Sequence, residues 1–180
     1  MQSDSIQTNL RVTIPATTRI LGYSHSLRTS HLIVADCQGE ISGEPRGMLT
    51  TGPVIQRVAQ LHTDDQARMN SMSHTGSDGS NLQTRADRVS LPWGAVGENV
   101  AVGFSSAKAV VMAWMCSPPH RKNLMSCGFS QIGVGTSVSQ NGRKFYTQVF
   151  MCDISESCAC DAGARKSPWF FASGHVFFFW

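Results

Sequence analysis

Charge is scarce in this chain. Asp, Glu, Lys and Arg make up 15% of its 180 residues, the formal net charge is +3, and the one tight basic cluster is His120-Arg121-Lys122. Basic residues this scattered, with no aromatics interleaved among them, exclude the electrostatic footprint of a nucleic-acid partner. Long apolar runs are missing too. Pro168-Trp169-Phe170-Phe171 and Val176 to Trp180 fall far short of the roughly 20 residues of a transmembrane helix. Met1 to Ser5 has no basic stretch followed by an apolar run, so as it stands it does not read as a secretory signal peptide. Asn-x-Ser/Thr acceptors are absent. So are His-Glu-x-x-His, Gly-x-Ser-x-Gly and a phosphate loop, while Gly133-Val134-Gly135 lacks the third glycine of a dinucleotide fingerprint.

What is present suffices for a folded domain. With 41% hydrophobic residues over this length, the chain can bury one sizeable core. Six cysteines, at 37, 116, 127, 152, 158 and 160, form an even set suited to an oxidising compartment. Their connectivity is open, with Cys116 to Cys127 and a pair within the Cys152 to Cys160 cluster among the possibilities.

Periodicity divides the chain into three stretches. Residues 1–52 show no sustained helical period and end in the breaker Thr50-Thr51-Gly52-Pro53, so they read as mostly irregular, with a short strand at Leu32-Ile33-Val34. From Val54, apolar and polar residues Val54, Val58, Leu61, Asp65 and Met69 mark one helical face, with Pro53 at the helix start. Ala107, Val110, Val111 and Trp114 mark a second helix, capped by Ser105 or Ser106 and stopped by Pro118-Pro119. Gln131 to Thr136 and Lys144 to Met151 alternate as strands across Asn141-Gly142, a hairpin turn. Helices followed by an antiparallel hairpin predict an α+β domain over 53–152. Residues 153–180 read as an irregular aromatic tail outside the core.

Five segments between these landmarks carry the functional signal. They are Leu61 to Met69 leading into Ser73-His74-Thr75-Gly76, Gly97-Glu98-Asn99, Ser117-Pro118-Pro119-His120-Arg121, Phe129 to Gly135, and Tyr146 to Phe150. In order and wording they resemble the SCP-like extracellular domain of the CAP superfamily, the cysteine-rich secretory, antigen 5 and pathogenesis-related-1 group. The resemblance implies a three-layer α-β-α sandwich with an antiparallel sheet, and an extracellular protein. The family also carries an N-terminal helix bearing an Asn and an Arg. No such helix is legible here, so the fold is expected to be incomplete at that end.

By the same resemblance His74, Glu98 and His120 are the cavity residues, and their types suit a divalent metal such as zinc. Without it, His74 would be a surface loop histidine and His120 a helix C-terminal cation. Glu98 would be a solvated loop glutamate, but the apolar flank Asn99-Val100-Ala101-Val102 argues otherwise, because a carboxylate at the edge of a core needs a partner. Ser117 stands where the animal branch has a second glutamate, and the shorter Trp-x-x-Ser-Pro-x-His-Arg form resembles the microbial and fungal-type branch. His62, at helical spacing beside Ala59 and Gln66, reads as a packing histidine, and Trp114, Phe129, Phe145 and Tyr146 read as core aromatics. The expected function is a binding module that takes a divalent metal, with sterols or other lipids, or a protein, as partners implied by the family. The alternatives are a metal-dependent hydrolase with Glu98 as general base and a degenerate copy, suggested by the two unusual ends.

Overall fold

The computed structural model describes residues 15–29, 32–34, 41–43, 47–89, 93–153 and 177–178. Its elements are α1 (Ala16–Thr29), β1 (Leu32–Val34), β2 (Ile41–Gly43), α2 (Pro53–Met69), α3 (Leu82–Asp87), β3 (Trp93–Val102), α4 (Ala107–Cys116), α5 (Pro118–Met125), β4 (Gln131–Val138), β5 (Lys144–Asp153) and β6 (Phe177–Phe178). One sheet runs β4-β5-β3-β6, and β1 pairs antiparallel with β2 in a separate two-stranded sheet.

The α-β-α layering follows from which side chains alternate to which face of β3, β4 and β5. Val96, Val149 and Met151 pack with Ile55, Val58 and Ala59 of α2 and Leu82 of α3. Ala101, Ile132, Val134, Tyr146 and Phe150 pack on the other side with Ile20 of α1, Trp114 of α4 and Leu124 of α5. Trp114, Phe129, Phe145 and Tyr146 are all buried, as their sequence pattern predicted.

Local chemistry fixes the hairpin and the helix starts. Antiparallel β4 and β5 join through a turn in which Gly142 holds a φ of 77° and donates to Ser139 O at 2.9 Å, a conformation that glycine adopts without steric cost. Pro53 occupies the first turn of α2, and the Ser106 side chain accepts from Ala109 N to cap α4.

The edge of β4 is covered by α2 itself. Gln60 donates to Thr136 O at 3.0 Å and accepts from Thr136 N at 3.2 Å, and Gln56 makes the same two contacts with Val134. Two side-chain amides thus satisfy backbone groups that an open edge would offer to another chain. Such close approach needs Gly133 and Gly135, where an added Cβ would collide with the backbone of Ile55 and Ala59.

Four expectations require correction. Residues 1–52 do not lack a helix: α1 packs against α4, α5 and β4. Its inward face mixes apolar Ile20 with Ser24, which are 0% and 2% exposed, and this mixture hides its period. Ser24 hydrogen-bonds Ile20 O and accepts from Gln148 Nε2, both at 2.8 Å. Ser24→Ala should therefore cost about 1–3 kcal/mol in denaturant unfolding, since it strands a buried donor. An unchanged midpoint would show that α1 is not docked this way.

The second correction concerns α2, whose buried face is Ile55, Val58, Ala59, His62, Thr63, Gln66 and Ala67. Val54 and Leu61 of the anticipated stripe are exposed. Third, Pro118-Pro119 does not simply end α4 but opens α5, with Ser117 between the two helices. Fourth, Phe177–Phe178 of the tail pairs in parallel with Val96 and Gly97, on the edge of the main sheet. The aromatic residues at 169–171, 179 and 180 lie outside the described residues.

Candidate functional site

Glu98 stands in the middle of β3, not in a loop, and its side chain is wholly inaccessible to solvent. A carboxylate so placed needs charged or hydrogen-bonding partners. It has them from three segments. His74 Nδ1 lies 2.8 Å from Oε1, Arg85 Nη2 donates to Oε2 at 2.7 Å, and His62 Nε2 lies 3.8 Å from Oε1.

These segments are themselves tied together. After α2 ends at Asn70 in the left-handed conformation, the chain returns so that Ser73 O meets His62 Nε2 at 2.9 Å. Asp65 then accepts from Ser77 N at 2.7 Å, and Gly76 N donates to Ser80 O at 2.8 Å. Arg85, on a helix capped by Asn81, donates from Nη1 to His74 O at 3.1 Å and to Ser80 O at 3.0 Å. The loop bearing His74 is thereby anchored to both helices.

His120 belongs to α5, in the opposite layer. It sits in the first turn of α5, the end where the helix dipole is positive, so its reading as a C-terminal cation does not hold. Its Nδ1 lies 2.7 Å from Ser117 Oγ, and Asn99 Nδ2 donates to its carbonyl at 3.2 Å. Asn99 belongs to a buried chain of amides. Asn123 donates to Asn99 Oδ1 at 2.9 Å, Asn99 to Gln148 Oε1 at 3.2 Å, and Gln148 in turn to Ser24.

Burial, and secondarily the charge on His74, holds the His120 imidazole below its ordinary 6.5. His62 is also held below 6.5, by burial first, with Glu98 opposing and Arg85 adding to the effect. Among the described residues no cluster of three or more His, Cys, Asp or Glu side chains is spaced to hold a metal ion.

A depressed histidine pKa makes the unfolded chain bind more protons than the folded one once the pH falls below about 6.5. Stability should therefore decline as the pH drops through that value, by up to about 1.4 kcal/mol per pH unit for His62. Denaturation midpoints measured from pH 8 to pH 5 should show this slope, and His62→Gln should flatten it. An equal slope in the variant would place the proton uptake elsewhere.

The sequence pattern singled out His74, Glu98 and His120, of which His74 and Glu98 are in contact; it undervalued His62, which lies beside Glu98, and did not single out Arg85. The clue to Arg85 was available in the apolar flank of Glu98, because a buried carboxylate requires a cation or several donors. Cys116, Cys127 and Cys152 are all disulfide-bonded, and no described cysteine is a free thiol. A pairing of Cys152 with Cys158 or Cys160 involves positions outside the described residues.

The antiparallel strands β3, β5 and β4 lie between two helical layers, with Glu98 and His74 in contact on one side of β3. The model of the CAP family, described as the cysteine-rich secretory protein family, matches residues 49–153, and the chain belongs to that family. It is 32% identical over 94 residues to the uncharacterized membrane protein YlbC of Bacillus subtilis (strain 168), covering 52% of this chain and 26% of that protein. It also resembles the crystal structure of an extracellular SCP-domain protein from Bacillus anthracis str. Ames, at 28% identity and a TM-score of 0.61 over 76% of this chain and 40% of the other. An outer surface protein of Borrelia burgdorferi shares the fold at 17% identity and a TM-score of 0.61, over 78% of this chain and 96% of that one. The chain thus spans about a quarter of YlbC and two fifths of the Bacillus anthracis protein. No described helix is long and apolar enough to cross a membrane.

Proposed function

We propose that this chain is an extracellular CAP module that holds an exchangeable divalent ion between the imidazoles of His74 and His120, with Glu98 orienting the first. The observation that carries this reading is the 2.8 Å contact between His74 Nδ1 and Glu98 Oε1. An ionised carboxylate only accepts hydrogen bonds, so Nδ1 carries the proton and the Nε2 lone pair is the one offered to a metal. This carboxylate–histidine pairing orients an imidazole toward a metal and raises its basicity.

The donor set fits a weakly held ion better than a structural zinc. Structural zinc takes four protein ligands and catalytic zinc commonly three. Here Glu98, first assigned as a third ligand, has both oxygens engaged by His74 and Arg85. When bound, the ion would supply a Lewis-acid centre completed by water. Partial burial favours the neutral, ligating form of His120. The sterol or lipid role rests on the family resemblance.

Zinc should stabilise the protein by about 2.7 kcal/mol at a hundredfold excess over its dissociation constant. A His74→Ala, His120→Ala double variant should lose that gain. Equal zinc affinity of the two proteins in titration calorimetry would overturn the proposal. The hydrolase alternative is weaker, because a general base must reach the water it deprotonates, and the Glu98 side chain is inaccessible with each oxygen already bonded.

A further inference from the structure

We propose that Arg85 is the positioning residue of this site: its guanidinium fixes the Glu98 carboxylate and the His74 backbone together, and so determines which nitrogen of His74 is presented to the metal. The metal part of this statement rests on the function proposed above. The part concerning His74 does not.

One side chain touches both members of the pair. Nη2 donates to Glu98 Oε2, while Nη1 donates to the carbonyls of His74 and Ser80. Arg85 is 9% exposed and Glu98 1%, so these bonds are made away from competing water. Only the planar fork of arginine supplies two divergent donor groups at fixed separation, which a lysine ammonium cannot copy. With Oε2 pinned and the His74 carbonyl held by the same group, Oε1 is turned toward His74 Nδ1.

A competing imidazole shows why pinning matters. His62 Nε2 stands 3.8 Å from the same Oε1, but its bond to Ser73 O directs its proton there, because a carbonyl can only accept. His62 Nδ1 and Arg85 Nε are both buried without a protein partner. A carboxylate freed from Arg85 could rotate toward His62, and His74 would then lose the acceptor that keeps its proton on Nδ1. Arg85 and His62 also line a cleft of about 240 Å³, with Leu61, Ser77, Arg88 and Val89. The guanidinium position is therefore reachable by a small cation once the side chain is removed.

The decisive measurement is the nitrogen-15 signature of the His74 ring in metal-free protein, at a fixed pH where imidazoles are neutral. The wild-type chain should show the Nδ1–H tautomer. Arg85→Gln should show a mixture or the Nε2–H form, and its zinc affinity should fall about 10–100-fold, the range for loss of a residue that orients a ligand. Arg85→Lys should fall between the two. In Arg85→Ala, methylguanidinium should restore the Nδ1–H signal.

A folded Arg85→Gln chain that keeps both the wild-type tautomer and the wild-type zinc affinity overturns the proposal. If Arg85→Gln does not fold, Arg85→Lys decides by the same two readings. A wild-type chain that shows the Nδ1–H tautomer, lost in the Arg85 variants, yet takes up no zinc upholds the positioning role and overturns the metal-binding reading alone.

Discussion

Gly133→Ala and Gly135→Ala should each destabilise the protein by about 3 kcal/mol, the upper end of what an overpacked core usually costs. The added methyl at 133 would overlap the Ile55 carbonyl, and at 135 the Ala59 carbonyl and Thr63 Oγ1. Backbone atoms of a helix cannot step aside as a flexible side chain can. The whole of α2 would have to lift, and the bonds from Gln56 and Gln60 to β4 would lengthen together. Gly22→Ala is the control, because nothing lies within 4 Å of a Cβ there, and a helical glycine replaced by alanine should gain about 0.5–1 kcal/mol. Urea unfolding of the three variants checks the contrast. Similar small losses at all three positions would mean that α2 does not sit on β4 at this distance.

The second large effect concerns the buried ion pair. Arg85→Met should cost about 3–5 kcal/mol, because it leaves the Glu98 carboxylate inside the protein without its cation. Adding Glu98→Met should recover most of that loss, since a buried pair replaced by apolar side chains of similar volume is often neutral for stability. The double variant should nonetheless lose zinc-dependent stabilisation. Denaturation of both single variants and the double variant measures the coupling between the residues. Simple addition of the two losses would show that the pair does not act as a unit.

Much of this was legible in the sequence because the relevant residues obey strong local rules. The hairpin around Asn141-Gly142, the proline at the start of α2 and the Ser106 cap each follow from one or two residues. The candidate site residues were singled out through short segments in a fixed order. What was not legible involves polar side chains used as core. On α2, His62, Thr63 and Gln66 are at most 1% exposed, yet a hydrophobic pattern assigns them to solvent. They are tolerated because Thr63 bonds Ala59 O, Gln66 bonds Thr147 Oγ1 and His62 meets Ser73 O.

The same effect concealed α1, where Ser24 occupies an inward position that a periodicity search expects to be apolar. Arg85 was missed for a related reason. An arginine in a short polar stretch reads as a solvated residue until the buried carboxylate that requires it is known. The pairing of Phe177–Phe178 with β3 could not be read either, since two residues carry no period and the contact joins distant parts of the chain.

Adjacent letters on β3 serve opposite sides of the molecule. Glu98 faces the layer that supplies His62, His74 and Arg85, while Asn99 faces the layer that supplies Asn123 and the carbonyl of His120. Because strand side chains alternate with a period of two, shifting β3 by one residue against β5 would turn the acid toward the amides and the amide toward the acid's partners. Composition is therefore not what matters in this triplet. A chain reading Gly-Asn-Glu would have the same mass, charge and hydropathy and neither network, and one inserted or deleted residue between Val96 and Asn99 would separate the two histidines' supports as surely as mutating them. Variation in length should accordingly be confined to the connections around the strand, and the strand itself should behave as a fixed ruler between the two helical layers.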